Sequence, residues 1–327
     1  MDVQRLNDLR RPDAERAPVL VVGGGLTGLS TALFLAWHGV RPLLVERHAD
    51  LLIHPRARGF TPRTIELFRQ IGLEPAIRAA AFAGGDAFRW VAVRGETLAG
   101  EYEPVDEEDD GVAPHDLSPA PFAPIDQDKL EIILRDKAVA LGADIRFSTE
   151  LVSFSGDDDA IAATLMDRRT GIERTVRADY LVAADGWDSP TRQRLGIGME
   201  GPGPFFHVVT LLADADLRPA LRGRQVNIAY LQQPRPGTIL LAHDEVGKRW
   251  VFGTGYAPQY GESLADFAPE RCVELVRAAA GLPNAAVSFR PQIPGTDIKA
   301  LGFAIGAQVA EQYQAVRVFL AGDAAHI

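Results

Sequence analysis

The run Gly23-Gly24-Gly25-Leu26-Thr27-Gly28 limits what this chain can fold into more than any other feature. It follows a short apolar run, Pro18 to Val22, and opens an amphipathic stretch from Leu26 to Gly39, so strand, tight turn and helix succeed one another. A second apolar run, Pro42 to Val45, ends in Glu46 and completes a βαβ unit whose two strands are expected to be parallel and fully buried. Within the Gly-x-Gly-x-x-Gly pattern, Gly23 makes the turn, Gly25 lets the backbone approach a pyrophosphate, and Gly28 lets helix and strand pack closely. Leu26 and Thr27 lie in the first helical turn, whose positive end faces the phosphates. Glu46 stands where a carboxylate accepts hydrogen bonds from ribose hydroxyls and repels a 2′-phosphate. The pattern alone does not separate FAD from NAD.

Beyond the βαβ unit, Thr61-Pro62 predicts a helix start and Gly72 its stop. Residues 84–124 change character, from a strand-like FRWVAVRGETL through the acidic run Glu101 to Asp110, expected to be a solvated loop, into proline-rich LSPAPFAP. Asp126 to Leu141 returns to helix, and a meander leads into another buried strand, Tyr180 to Ala184. From about Leu195 to Pro294 mixed β structure carries one clear helix, Pro269 to Ala280. A last apolar strand, Val316 to Leu320, runs into AGDAAHI.

Composition closes several classes. A formal charge of -10 disfavours a broad nucleic-acid surface. A single cysteine, Cys272, permits no intrachain disulfide and no cysteine-based zinc pattern. No histidine pair has metal spacing, so no metal is expected, and Ser189 lacks a nucleophile-elbow context. The charged opening residues lack the apolar stretch of a secretory signal, and no run approaches the roughly 20 apolar residues of a spanning helix, so neither membrane nor nucleic acid is an expected partner and a cytoplasmic location is.

Three separated motifs resemble the FAD-dependent aromatic hydroxylases, the family of phenol hydroxylases and of anthracycline and angucycline polyketide hydroxylases. The first is the βαβ unit. The second, Asp185-Gly186-Trp187-Asp188-Ser189-Pro190-Thr191-Arg192, fits that family's Asp-Gly-x-x-Ser-x-x-Arg signature, associated there with FAD and NAD(P)H contacts. The third, Gly322-Asp323-Ala324-Ala325-His326, is similar to the Gly-Asp motif whose aspartate binds the ribityl chain. The resemblance implies FAD contacts from Gly23, Gly25, Leu26, Thr27, Gly28, Glu46, Arg47, Asp185, Gly186, Arg192, Gly322 and Asp323, with Arg56 near the flavin phosphates and Gln127 against the cofactor.

It further implies an α/β fold in which a Rossmann-like FAD-binding domain of the glutathione-reductase type, residues 18–83, 122–190 and 298–327, is interleaved with a mixed β-sheet substrate domain, residues 84–121 and 191–297. Residues 1–17 are expected to be a flexible extension. The implied reaction is hydroxylation of a phenolic substrate, a polycyclic aromatic polyketide more than a small phenol, using NADPH or NADH and O₂ through a C4a-hydroperoxyflavin. The chemistry is flavin-borne, so no side chain is named as catalytic, while Trp90, Phe205, Tyr230, Phe252 and Tyr256 are candidate substrate-lining residues. A homodimer and a non-catalytic FAD-binding remnant are both left open. In the family the chain continues past this point with a Pro-Pro and glycine-rich segment, so a missing C-terminal part is expected.

Overall fold

The computed structural model describes residues 15–52, 57–82, 90–105, 117–243 and 247–327. By their contacts these described residues fall into two compact α/β units: those of 15–52, 128–203 and 306–327 in the first, and those of 57–82, 90–105, 117–127, 204–243 and 247–305 in the second.

The first unit is built on a sheet ordered Gln314–Ala315, Val318–Leu320, Glu173–Ala183, Glu15–Val22, Leu43–Val45 and Asp144–Arg146. The inner four and Asp144–Arg146 pair in parallel, and the parallel, buried pairing expected of the two βαβ strands is seen between Glu15–Val22 and Leu43–Val45. Leu20, Val21, Leu43, Leu44, Val45, Leu181 and Ala183 are buried in them. The helix Leu26–Trp37 buries Gly28, Leu29, Ala32, Leu33 and Ala36, the i, i+4 spacing that keeps one stripe inward. The antiparallel strands Thr149–Gly156 and Ile161–Asp167 extend the sheet from Glu173–Ala183.

Register decides where the site can form. Val22 stands opposite both Val45 and Ala183, and Ala183 opposite Leu320, so four strands end in one row. The glycine turn, Glu46, the Asp185 loop and the Gly322 loop therefore leave the sheet side by side at its carboxyl edge, where open α/β sheets bind ligands.

The second unit carries a sheet ordered Ser288–Arg290, Met199–Asp214, Arg249–Tyr256, Thr238–Ala242, Ile228–Leu231, Ala92–Gly95 and Tyr102–Pro104. Its pairings are antiparallel except for Ile228–Leu231 against Ala92–Gly95. The helix Pro269–Ala280 supplies Cys272, Val276, Ala279 and Ala280 to a core shared with Leu211, Leu240, Trp250 and Phe252. No helix among the described residues is long and apolar enough to cross a membrane.

Four expectations about boundaries are corrected. Residues 15–17 are strand, not flexible extension: Glu15, Arg16 and Ala17 pair with Val176, Arg177 and Ala178, and Glu15 is ion-paired with Arg146. Residues 57–82 and 122–127 group with the second unit. The Phe60–Ala123 bridge, the Phe82 N–H donated to Pro124 O, and Arg78 donated to Pro121 O and Phe122 O tie this stretch to itself. Residues 191–203 group with the first unit, because the short helix Pro190–Arg194 is held by the Asp185 loop, and 298–305 group with the second.

Candidate functional site

The three motif glycines have distinct surroundings. A Cβ on Gly23, whose φ is +109°, would lie 2.2 Å from Ala184 O, and one on Gly28 would lie 1.9 Å from Gly23 O. Both are excluded by backbone, so these two glycines exist to bring the turn against the neighbouring strand and the helix against the turn. A Cβ on Gly25 would meet nothing within 4 Å. Gly25 caps the helix Leu26–Trp37 without a side-chain hydrogen bond, and no acidic residue stands in the first turn. The turn thus presents an uncapped, positively polarised helix end with open space before it.

Glu46 is held by three donors. Oε2 accepts the Gly24 N–H at 2.6 Å, and Oε1 accepts the His48 N–H at 2.8 Å and His48 Nδ1 at 2.6 Å. Burial acts to raise the Glu46 carboxyl, but the hydrogen bonds from the His48 ring, the His48 N–H and the Gly24 N–H outweigh it and hold it below the usual carboxylate range. Arg47 beside it is exposed.

The second and third motifs are fastened to the first. Asp185 Oδ1 accepts the Ser189 hydroxyl at 2.5 Å and Oδ2 the Thr191 N–H at 3.0 Å, so the carboxylate shapes its own loop. Ser189 in turn caps the helix Pro190–Arg194 by accepting the Arg192 N–H. Gly186 has φ +88° and open space around it. Arg192 is buried and donates to Trp187 O at 3.2 Å and to Ala324 O at 3.4 Å, bridging the second motif to the third. Gly322, at φ +59°, leaves room for Thr27, whose Oγ1 would sit 2.5 Å from an added Cβ. Asp323 is exposed on the one-turn helix Gly322–Ala324. Leu26 and Thr27, half-buried, complete the row.

In the second unit, Gln127 donates its N–H to Ala57 O at 2.9 Å and its Oε1 accepts the Ala57 N–H at 3.3 Å, anchoring the stretch that follows Arg56. Arg56 itself lies outside the described residues, as do residues 106–110 of the acidic run. Arg58, which the sequence did not single out, is a buried cation: Nε donates to Asp126 Oδ1 at 2.6 Å, and the guanidinium lies 4.5 Å from the Phe82 ring and 5.9 Å from that of Trp90. Among the aromatic candidates, Phe205 is 60% and Tyr230 40% exposed, and Trp90 and Tyr256 are half-buried. Phe252 is corrected: it is 0% exposed, because strand alternation turns it with Trp250 into the core under the helix Pro269–Ala280. It cannot line a site.

Gly24 and His48, like Arg58, were not singled out in the sequence. The signals were a third consecutive glycine and a Glu-x-His spacing directly after the strand.

The family described as "FAD binding domain" matches residues 16–327. A putative polyketide hydroxylase of Streptomyces halstedii is 43% identical over 318 residues, covering 95% of this chain and 55% of that protein. Tetracenomycin B2 monooxygenase-dioxygenase of Streptomyces olivaceus is 40% identical, covering 96% of this chain and 59% of that protein. Among solved structures, a ternary complex of aklavinone-11 hydroxylase with FAD and aklavinone superposes with a TM-score of 0.81 at 38% identity, over 96% of this chain and 58% of that one. The chain thus spans somewhat more than half the length of each relative.

Proposed function

The chain belongs to the FAD binding domain family, and from that premise we propose that it is the flavin-binding part of an aromatic hydroxylase that uses NAD(P)H and O₂ on a polycyclic phenolic polyketide in the cytoplasm. The observation that carries the reading is the 38% identity, over 96% of this chain, with a hydroxylase whose complex holds FAD and aklavinone.

The residues fit the cofactor. An uncapped helix end with open space before Gly25 suits a pyrophosphate, whose charge the first-turn N–H groups would meet. The ionised Glu46 offers acceptor capacity to a ribose hydroxyl and repels a 2′-phosphate. Asp323, exposed at the same row of strand ends, is the acceptor proposed for the ribityl hydroxyls. When bound, the flavin supplies the redox chemistry, taking reducing equivalents from the nicotinamide and activating O₂. What the chain supplies is rigidity: the interlocking of Gly23 with Ala184, Gly322 with Thr27 and Arg192 with Ala324 fixes the three loops before any ligand arrives. Phe205, Tyr230 and Trp90 are the aromatic surfaces proposed for substrate contact.

The test is a flavin fluorescence titration of the purified chain, followed by NAD(P)H consumption on adding a tetracyclic phenol or a single-ring phenol, with product mass read for one added oxygen atom. Flavin retention and stimulation by the tetracyclic phenol are expected. Failure to bind flavin would sink the cofactor assignment, and stimulation by the single-ring phenol alone would move the substrate class.

A further inference from the structure

We propose that His48 is a positioning residue of the nucleotide end of this site: its ring clamps Glu46 Oε1, so that the carboxylate turns Oε2 alone toward a ribose hydroxyl. This rests on the reading that Glu46 meets the adenosine ribose.

The geometry comes from counting lone pairs. An ionised carboxylate is acceptor-only, with two sites on each oxygen. Oε1 receives both the His48 N–H at 2.8 Å and Nδ1 at 2.6 Å, so its capacity is filled. Oε2 receives the Gly24 N–H at 2.6 Å and keeps one site. Since the oxygen facing it can only accept, Nδ1 must carry the ring proton. A ribose could therefore be gripped by Glu46 at one hydroxyl, through Oε2, and not by both oxygens at once.

The clamp is itself held. His48 O accepts the Ser148 N–H at 2.8 Å, Glu46 O accepts the Thr149 N–H at 2.8 Å, and the Glu46 N–H is donated to Arg146 O at 2.9 Å. Ser148 is buried and sits at φ +52°, the tight turn that lets the following strand come back alongside residues 46–48. The side chains of His48 and Glu46 are 23% and 13% exposed, so water competes little for the bond between them. Without the ring donor, Oε1 would regain an open site and the carboxylate could rotate, weakening the bond from Gly24 and the grip on the ribose together.

The experiment measures FAD dissociation constants by flavin fluorescence for the chain and for Glu46→Ala, His48→Leu, His48→Asn and the double variant Glu46→Ala/His48→Leu. His48→Leu should raise the constant about tenfold, the effect of one charge-assisted hydrogen bond. His48→Asn, whose side-chain N–H stands near the place of Nδ1–H, should restore it to within about threefold, a difference smaller than that bond. The double variant should bind no worse than Glu46→Ala, because His48 acts only through that carboxylate. His48→Phe, which keeps a ring but no donor, serves as the second removal variant with the same expected loss. Loss on Glu46→Ala with none on His48→Leu or His48→Phe would overturn the proposal, as would failure of the Asn variant to rescue or full additivity in the double variant. Unchanged affinity in Glu46→Ala would instead remove Glu46 from the ribose, and the proposal with it.

Discussion

The two units fix their loops by different means. In the first, the main chain is a partner in the contacts that shape the glycine turn: Gly23 lies against Ala184 O and Gly28 against Gly23 O, and the Glu46 carboxylate accepts the Gly24 N–H. In the second, side chains do the fixing, as in Arg58 on Asp126 between Phe82 and Trp90, or Arg235 on Glu262 beside the Ala257 N–H. The difference fits what each unit is proposed to present. A pyrophosphate is met by N–H groups, which any side chain in front of them would obstruct. An aromatic substrate is met by side chains, which must be stiffened by other side chains.

The largest effect is expected at the buried ion pair of the second unit. Asp126→Ala strands the Arg58 guanidinium, whose side chain is 8% exposed, in a buried position without its carboxylate. The expected loss is about 3–5 kcal/mol of stability, the range for halving a buried ion pair. A thermal midpoint unchanged from the parent would show that this cation is held by its aromatic neighbours alone.

Next in size are two glycines that sharpen the contrast within the first unit. Gly28→Ala forces a Cβ against a main-chain oxygen and should cost about 3 kcal/mol, the upper part of the overpacking range. Gly25→Ala, with nothing within 4 Å of the added carbon, should leave stability within about 0.5 kcal/mol of the parent while weakening FAD binding. Should both variants lose stability equally, the distinction between a packing glycine and a ligand-facing glycine would be wrong.

Glu46→Ala should follow, weakening FAD binding by about 1.5–3 kcal/mol, as for a hydrogen bond to a charged group. Titration by flavin fluorescence reads it directly. Any accompanying loss of stability reports the Gly24 and His48 N–H groups left without their acceptor.

The smallest effect belongs to a more exposed pair of the second unit. The hydrogen bond from Arg235, opposed by burial and helped by the Ala257 N–H, holds the Glu262 carboxyl down to about 2. Because the folded value lies below the ordinary 4.5, the stabilisation is complete above about pH 4.5 and is lost as pH falls toward about 2. Glu262→Gln should flatten that acid limb and cost less than about 1 kcal/mol at neutral pH, since the pair is partly solvated. An unaltered acid unfolding curve would reassign the limb to other carboxylates.

Parts of both units were legible in the sequence. Helix Pro62–Gln70, with Thr61 accepting the Thr64 N–H, and helix Pro269–Ala280 stand where proline and glycine punctuation predicts them. The glycine turn, Glu46 and the two later motifs lie at one edge because each follows a short apolar segment at the end of a strand, and those strands pair in parallel in one register. What was misread depended on partners far away in the chain. Phe252 reads as an aromatic in a half-buried strand, and only its neighbours across the sheet and the helix above it turn it inward. Arg58 was not singled out at all, because its carboxylate comes from a residue 68 positions later.

By itself, then, the sequence determined the βαβ turn, the strands that carry the three motifs and the chemistry their residue types offer, because glycine placement and apolar runs act over a few residues at a time. Tertiary structure alone decided that Arg192 reaches Ala324 across 132 residues, that Gly322 makes room for Thr27, and that His48 fills one oxygen of Glu46. Those pairings depend on strand register and on the direction each loop takes from the sheet, and register is set by the packing of whole strands rather than by any short run within one of them.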